Sequence, residues 1–229
     1  MFFDAGNTLL RMNYAVIAAE LARHGVRVSP EDVQRAEWRA RVRVDDEVFS
    51  HGQPDASTES RSSVSRYLRY LLEGLGVTDE ATVVTLAEWR RTYNLPIGVW
   101  NTADPQAQES LALVRRAGLR AAVISNSNGS VRSILSTLGL VSGLDFVLDS
   151  SEVGVEKPDP KIFELALAQA RLAPAEVAYL GDLYSVDVRG ARAAGMRPVL
   201  LDPGGHWGTR DCPMASDLLS AVRLILSWR

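Results

Sequence analysis

Apolar positions set the first expectations. Met1–Phe3 is a short apolar run that reads as a buried strand, closed by Asp4 and a small-residue turn from Ala5 to Thr8. From Tyr14 to Tyr93 the spacing becomes helical. Val16, Ile17 and Leu21 mark a helix over Tyr14–His24 that stops at Gly25. Ser29 and Pro30 form a cap and first turn for a second helix through Trp38 to about Val44. Val64–Gly74 and Thr78–Tyr93 predict two more, and the polar stretch His51–Ser63 reads as a loop. No strand pattern interrupts this region.

From Pro96 the pattern changes. Asp104 caps a helix to Ala117, with Gly118 as its stop. Short apolar runs then alternate with helices. Strands are predicted at Arg120–Ile124, Phe146–Leu148, Val177–Leu180 and Pro198–Leu201. Helices are predicted at Gly129–Leu138, Pro160–Arg171, Val186–Ala194 and Ala215–Ser227. Such alternation predicts an α/β fold, a doubly wound parallel sheet with helices on both faces. The first strand belongs to that sheet. The expected domains are therefore a core of residues 1–12 plus 97–229 and an inserted all-α module over 13–96, with linkers near Met12 and Pro96.

Composition narrows the class. With 229 residues and 46% hydrophobic positions, a sizeable core forms without staples. The formal charge of -3 leaves no basic footprint for nucleic acid. Cys212 is the only cysteine, which excludes an internal disulfide framework. No apolar run approaches the roughly 18 residues of a membrane span, and no export signal precedes the first strand, so the expected location is cytoplasmic. The pattern is equally compatible with a monomer and a homodimer.

Three polar clusters follow later strands. Ser125-Asn126-Ser127-Asn128-Gly129 offers a hydroxyl and backbone N–H groups at a helix start, suited to an anion or simply to a cap. Lys157 stands in a turn before a helix and is one of only two lysines, the other being Lys161. A compact ammonium in an arginine-rich chain points to a specific task. Gly181-Asp182 with Asp187 places two carboxylates after an apolar strand, the donor type of a Mg²⁺ site. Parallel strands bring their C-terminal ends to one sheet edge, so Asp4, Ser125, Lys157, Asp182 and Asp187 are expected to converge there. Acids for a cation, cations for phosphoryl oxygens and a carboxylate to attack in line make a phosphoryl-transfer site.

Asp4-Ala5-Gly6-Asn7-Thr8-Leu9, Ser125-Asn126, Lys157-Pro158 and Gly181-Asp182 with Asp187 resemble, in order and spacing, the four motifs of the haloacid dehalogenase-like hydrolase superfamily. The helical insert looks like the type 1 cap of its subfamily I. The resemblance implies a Rossmann-like core closed by a helical cap and a phosphatase for a small phosphorylated metabolite. It implies Asp4 as the nucleophile forming an aspartyl-phosphate. Ser125, Asn126 and Lys157 would bind the phosphoryl group. Mg²⁺ would be held by Asp4, the Gly6 carbonyl and Asp182, with Asp187 assisting directly or through water.

One departure stands out. The family's phosphatases carry a second Asp two residues after the nucleophile as general acid and base, and here that position is Gly6. General acid–base catalysis contributes roughly 10²–10⁴-fold, so acyl and aryl phosphates should suffer least. Asn7 fits the turn if its backbone is left-handed. Two alternatives follow: a phosphate- or metal-binding protein without turnover, and a 2-haloacid dehalogenase. Against the latter, the fourth motif keeps Gly181-Asp182. The insert has no lysine for Schiff-base phosphonate chemistry. Arg39, Arg41, Arg43, Arg61 and Arg66 are candidates to meet an anionic substrate, as is His51 to replace the missing acid, though solvated helix faces explain the arginines as well.

Overall fold

The computed structural model describes residues 1–51, 57–93 and 98–228. Part of the predicted His51–Ser63 loop and the predicted linker at Pro96 lie outside the described residues. In chain order, the elements begin with β1 (Phe2–Phe3), β2 (Leu10–Arg11), α1 (Tyr14–Arg23), α2 (Pro30–Val44), α3 (Arg61–Gly74) and α4 (Glu80–Tyr93). Next come β3 (Thr102–Ala103), α5 (Ala107–Arg116), β4 (Ala122–Ser125), α6 (Val131–Thr137), β5 (Phe146–Asp149) and α7 (Ser150–Val153). The chain ends with α8 (Pro160–Ala170), β6 (Ala178–Gly181), α9 (Arg189–Ala193), β7 (Arg197–Leu201), β8 (Met214–Ala215) and α10 (Leu218–Leu226). Two compact units divide the chain: Met1–Arg11 with Thr102–Arg229, and Met12–Asn101.

In the first unit, six strands form a sheet in the order β5-β4-β1-β6-β7-β8, and every pairing is parallel. Counted along the sheet-forming strands, this is the doubly wound order 3-2-1-4-5-6. Successive strands are added outward from β1 first in one direction and then in the other, so a crevice opens beyond its C-terminal end, where Asp4 stands. Both sheet faces are buried. Phe3, Val123, Leu180 and Val199 pack with Leu111 and Val114 of α5, Ile134 and Leu135 of α6, and Val222 of α10. Phe2, Ile124, Leu148 and Tyr179 point the other way, onto Ile162, Phe163 and Ala166 of α8. This two-residue alternation under helices on both sides is why the strands read as continuous apolar runs.

β2 and β3, the strands at which the chain leaves and rejoins this unit, pair antiparallel, with Leu10 opposite Ala103 and Arg11 opposite Thr102. Arg11 Nε donates to Asp104 Oδ2 at 2.7 Å, while Asp104 Oδ1 accepts the N–H of Gln106. Asp104 thus ties this ribbon to the start of α5. The ribbon is too short to show a period in sequence, as is β8, which adds a sixth strand where the sequence predicted a helix start at Ala215.

The second unit is all helical among the described residues, with its own core of Ile17, Leu21, Val33, Val44, Leu71, Leu72, Val83 and Leu86. α2 starts where predicted. The Ser29 hydroxyl accepts the N–H of Asp32, and Asp32 accepts the N–H of Ser29, with Pro30 in the first turn. α3 starts earlier than its apolar positions predict, because the Ser60 hydroxyl accepts the N–H of Ser63. Glu37 and Arg41, one turn apart on α2, are both buried and form a two-pronged ion pair at 3.0 and 2.6 Å. The hydroxyls of Tyr67 and Tyr14 donate to the same carboxylate at 2.5 and 3.2 Å. No described helix is long and apolar enough to cross a membrane.

Candidate active site

β1 ends at Asp4, whose N–H donates to the Leu180 carbonyl of β6 at 2.8 Å. This bond anchors the buried carboxylate between the two halves of the sheet. The turn that follows folds back tightly: the N–H groups of Thr8, Leu9 and Leu10 all point to the Ala5 carbonyl. It needs one left-handed residue, and Asn7 supplies it at φ 52°, as the sequence expected. The Asn7 side-chain amide donates to Asp182 Oδ2 at 3.2 Å, linking the turn to the end of β6.

Lys157 lies at the middle of the site. Its Nζ donates to Asp4 Oδ1 at 2.6 Å, to Asp187 Oδ1 at 2.7 Å and to the Tyr179 hydroxyl at 3.0 Å. The lysine side chain is 2% exposed, which is tolerable for a cation only because two carboxylates compensate it. Its backbone is fixed from another element. The Asn126 carboxamide donates to Lys157 O at 2.9 Å and accepts its N–H at 2.8 Å. The side chain expected to contact substrate is therefore occupied in holding Lys157. Ser125, at the end of β4, is buried, with its hydroxyl 3.3 Å from the Asn126 carbonyl.

Asp182 and Asp187 differ in surroundings. Asp187 Oδ1 accepts from Lys157 and from the Tyr179 hydroxyl, the latter at 3.0 Å. Its Oδ2 accepts the N–H groups of Asp182 and Leu183 at 3.1 and 3.0 Å. Each oxygen already has two protein donors, so Asp187 orders Lys157 and the turn after β6 together. It fits there because residue 181 is glycine. A Cβ at that position would lie 2.3 Å from Asp187 Cγ.

Carboxylate oxygens of Asp4, Asp182 and Asp187 can all lie within 4.8 Å of one another. Three buried acids, of which Asp4 and Asp187 share Lys157, leave an excess of negative charge, which a hard cation with oxygen ligands would neutralise. The same crowding is visible in the protonation equilibria. Burial pushes Asp4 up to about 6, with Lys157 pulling down and Asp187 adding to the rise. For Lys157 burial disfavours the charge, but the Asp187 and Asp4 carboxylates outweigh it and raise the ammonium well above its usual value. Burial, with the carboxylates of Asp187 and Asp4 adding, also raises the Tyr179 hydroxyl well above the ordinary tyrosine value.

The structure thus gathers Asp4, Lys157, Asp182 and Asp187, with Asn126 behind the lysine and Gly6 in the turn after Asp4. Two contributors escaped the sequence reading. Tyr179 hides in an apolar strand, where nothing shows that its hydroxyl ends beside Lys157. Asp149 gave a usable signal, an acid closing the apolar run Phe146–Leu148 as Asp4 closes the first strand. Fully buried, it accepts the N–H of Gly129 at 3.1 Å and that of Ser151 at 3.0 Å, pinning the loop after Ser125.

The arginines of the helical unit offer less than their number implied. Arg41 is spent on Glu37, and Arg43 pairs with Glu47 and Glu73 at 2.8 and 2.6 Å. Arg39, Arg61 and Arg66 are exposed. His51 is exposed and lies 3.0 Å from the Ser50 hydroxyl.

Comparison with known proteins identifies the family. Residues 1–195 match the model of the haloacid dehalogenase-like hydrolase family. The chain is 33% identical over 211 residues to the human haloacid dehalogenase-like hydrolase domain-containing protein 3, covering 88% of this chain and 83% of that protein. It is 45% identical over 135 residues to a phosphoserine phosphatase of Thermus thermophilus, covering 58% of this chain and 52% of that protein. Among solved structures, a 2-haloacid dehalogenase from Pseudomonas syringae has a TM-score of 0.59 and 26% identity, covering 100% of this chain and 98% of that one. The chain belongs to the haloacid dehalogenase-like hydrolase family.

Proposed function

We propose that this hydrolase is a Mg²⁺-dependent phosphatase for a small phosphorylated metabolite, with Asp4 as nucleophile. The observation that carries the reading is the cluster itself: one lysine shared by Asp4 and Asp187, with Asp182 alongside. Three carboxylates at this spacing are costly without a divalent cation, whereas halide displacement from a haloacid needs none. The similarity to a phosphoserine phosphatase points the same way.

Asp4 and Asp182, with the Gly6 carbonyl, are the residues that would hold the cation, and Asp187 aligns them from behind. When bound, Mg²⁺ would supply positive charge to the phosphoryl oxygens and favour the ionised form of Asp4. Lys157 neutralises a further phosphoryl oxygen, and Ser125 donates a hydrogen bond to another. An Asp4 oxygen bonds to phosphorus as the bond to the leaving oxygen breaks, and that oxygen keeps the electron pair. Water then cleaves the aspartyl-phosphate and releases phosphate. Gly6 offers no side-chain acid, so acyl and aryl phosphates, whose leaving oxygens need little protonation, are the best-served substrates. We assign the choice among them to the helical unit Met12–Asn101.

Phosphate release from acetyl phosphate and p-nitrophenyl phosphate tests the reading, in Mg²⁺ and in EDTA, for the native protein and Asp4→Asn. Metal-dependent release that is absent in Asp4→Asn supports it. Release equal to the variant's background would overturn it, and chloride release from 2-haloacids would then be measured.

A further inference from the structure

We propose that the Tyr179 hydroxyl is a positioning group for Lys157, the fixed pivot about which the ammonium turns from Asp4 to the transferred phosphoryl group. The inference rests on the phosphatase reading above.

An ammonium has three N–H directions and no others. In Lys157 they go to Asp4, Asp187 and Tyr179, at 2.6, 2.7 and 3.0 Å. The three partners come from different elements: the end of β1, the turn before α9, and the middle of β6. When the Asp4 oxygen bonds to phosphorus, the carboxylate's negative charge passes to the departing oxygen, while the phosphoryl oxygens keep theirs. The N–H that faced Asp4 then has a better acceptor beside it. The other two remain on Tyr179 and Asp187, so the cation rotates without leaving its seat.

Tyr179 is built for a fixed role. It is fully buried, and its ring packs edge-on against Phe163 with centroids 5.2 Å apart. Its hydroxyl accepts from Lys157, donates to Asp187 Oδ1 at 3.0 Å, and lies 3.4 Å from the Ile124 carbonyl of β4. Asp187 could not hold the ammonium alone, because its Oδ2 is committed to the N–H groups of Asp182 and Leu183. Phenylalanine at 179 would keep the ring contact and leave one buried N–H of Lys157 without its partner.

The test compares Tyr179→Phe with the native protein in acetyl phosphate turnover and in inhibition by orthovanadate, a mimic of the pentacoordinate phosphoryl group. Removing one hydrogen bond to a charged group should lower kcat/KM by about tenfold or more and raise the vanadate Ki by a similar factor. A merely structural role would lower the active fraction, and so kcat, without moving Ki. Ile162→Val is the control: it removes a methylene from the same buried cluster and leaves the Tyr179 ring contact and hydroxyl in place, so it should lower Tm and leave Ki unchanged. Vanadate-induced thermal shifts give the same readout if Tyr179→Phe is too unstable for kinetics. A Tyr179→Phe protein with native kcat/KM and native Ki overturns the inference while leaving the phosphatase reading intact. A native protein that neither releases phosphate nor binds vanadate overturns both.

Discussion

Gly181→Ala adds one methyl group and touches no charge, yet it should disable the site. An added Cβ would stand 2.3 Å from Asp187 Cγ and 2.5 Å from its Cβ and Oδ2. Carbon atoms pack at about 3.5–4.0 Å, so the aspartate has to retreat by more than about 1 Å. Asp187 holds four donors at 2.7 to 3.1 Å: Lys157 Nζ, the Tyr179 hydroxyl and two backbone N–H groups. Losing two of these at about 1.5–3 kcal/mol each amounts to about 3–6 kcal/mol. For a chain of this size that corresponds to a fall in Tm of about 10 °C. The displaced lysine adds a rate penalty, since a shift of about 1 Å in a positioned group costs about 100-fold. Thermal melts by circular dichroism and acetyl phosphate turnover on the folded fraction measure the two effects separately. An alanine variant within about 2 °C of native Tm and within about threefold of native turnover would refute the packing argument.

Other changes should act through the same contacts. Lys157→Met leaves Asp4 and Asp187 facing each other in a buried site, which should abolish turnover and cost about 3–5 kcal/mol at neutral pH, read by urea titration. Its sign with pH is definite. Asp4 is already raised to about 6 with Lys157 present, and rises further without it, so the folded variant holds a proton that the unfolded chain gives up. The variant should gain stability relative to native as pH falls from 8 towards 5. Asn126→Ala removes both side-chain bonds to the Lys157 backbone and should lower kcat/KM by about tenfold or more, again read as phosphate release. Mg²⁺ binding should release protons near pH 6, where burial keeps part of Asp4 protonated, and fewer at pH 8; calorimetry in two buffers of different ionisation enthalpy reads this directly.

Much of the fold is legible because its signals are local and strong. Buried parallel strands read as short apolar runs, and Gly and Ser/Pro punctuation separates them from helices. Asp4 and Asp182 are visible as acids at strand ends, and parallel pairing is enough to predict that they meet. What sequence hides is where a side chain's far end arrives. Asn126 looked like an anion ligand, but its carboxamide reaches across to the Lys157 backbone. Arg41 resembled its neighbours, yet one turn of helix sets it against buried Glu37. Tyr179 was masked by its own burial, since an apolar ring in a strand is expected and its hydroxyl gives no periodic signal. The β2–β3 ribbon and β8 are two residues each, too short for any period to show.

In the proposed reaction Asp4 carries the phosphoryl group. The most direct test is to mix the protein with acetyl phosphate and Mg²⁺, quench in acid during turnover and map the modified peptide by mass spectrometry. One added phosphoryl group is expected, on the N-terminal peptide at Asp4, absent in Asp4→Asn and lost on treatment with hydroxylamine. Phosphate released at the native rate with no trapped peptide, or with the label on any other residue, would contradict it.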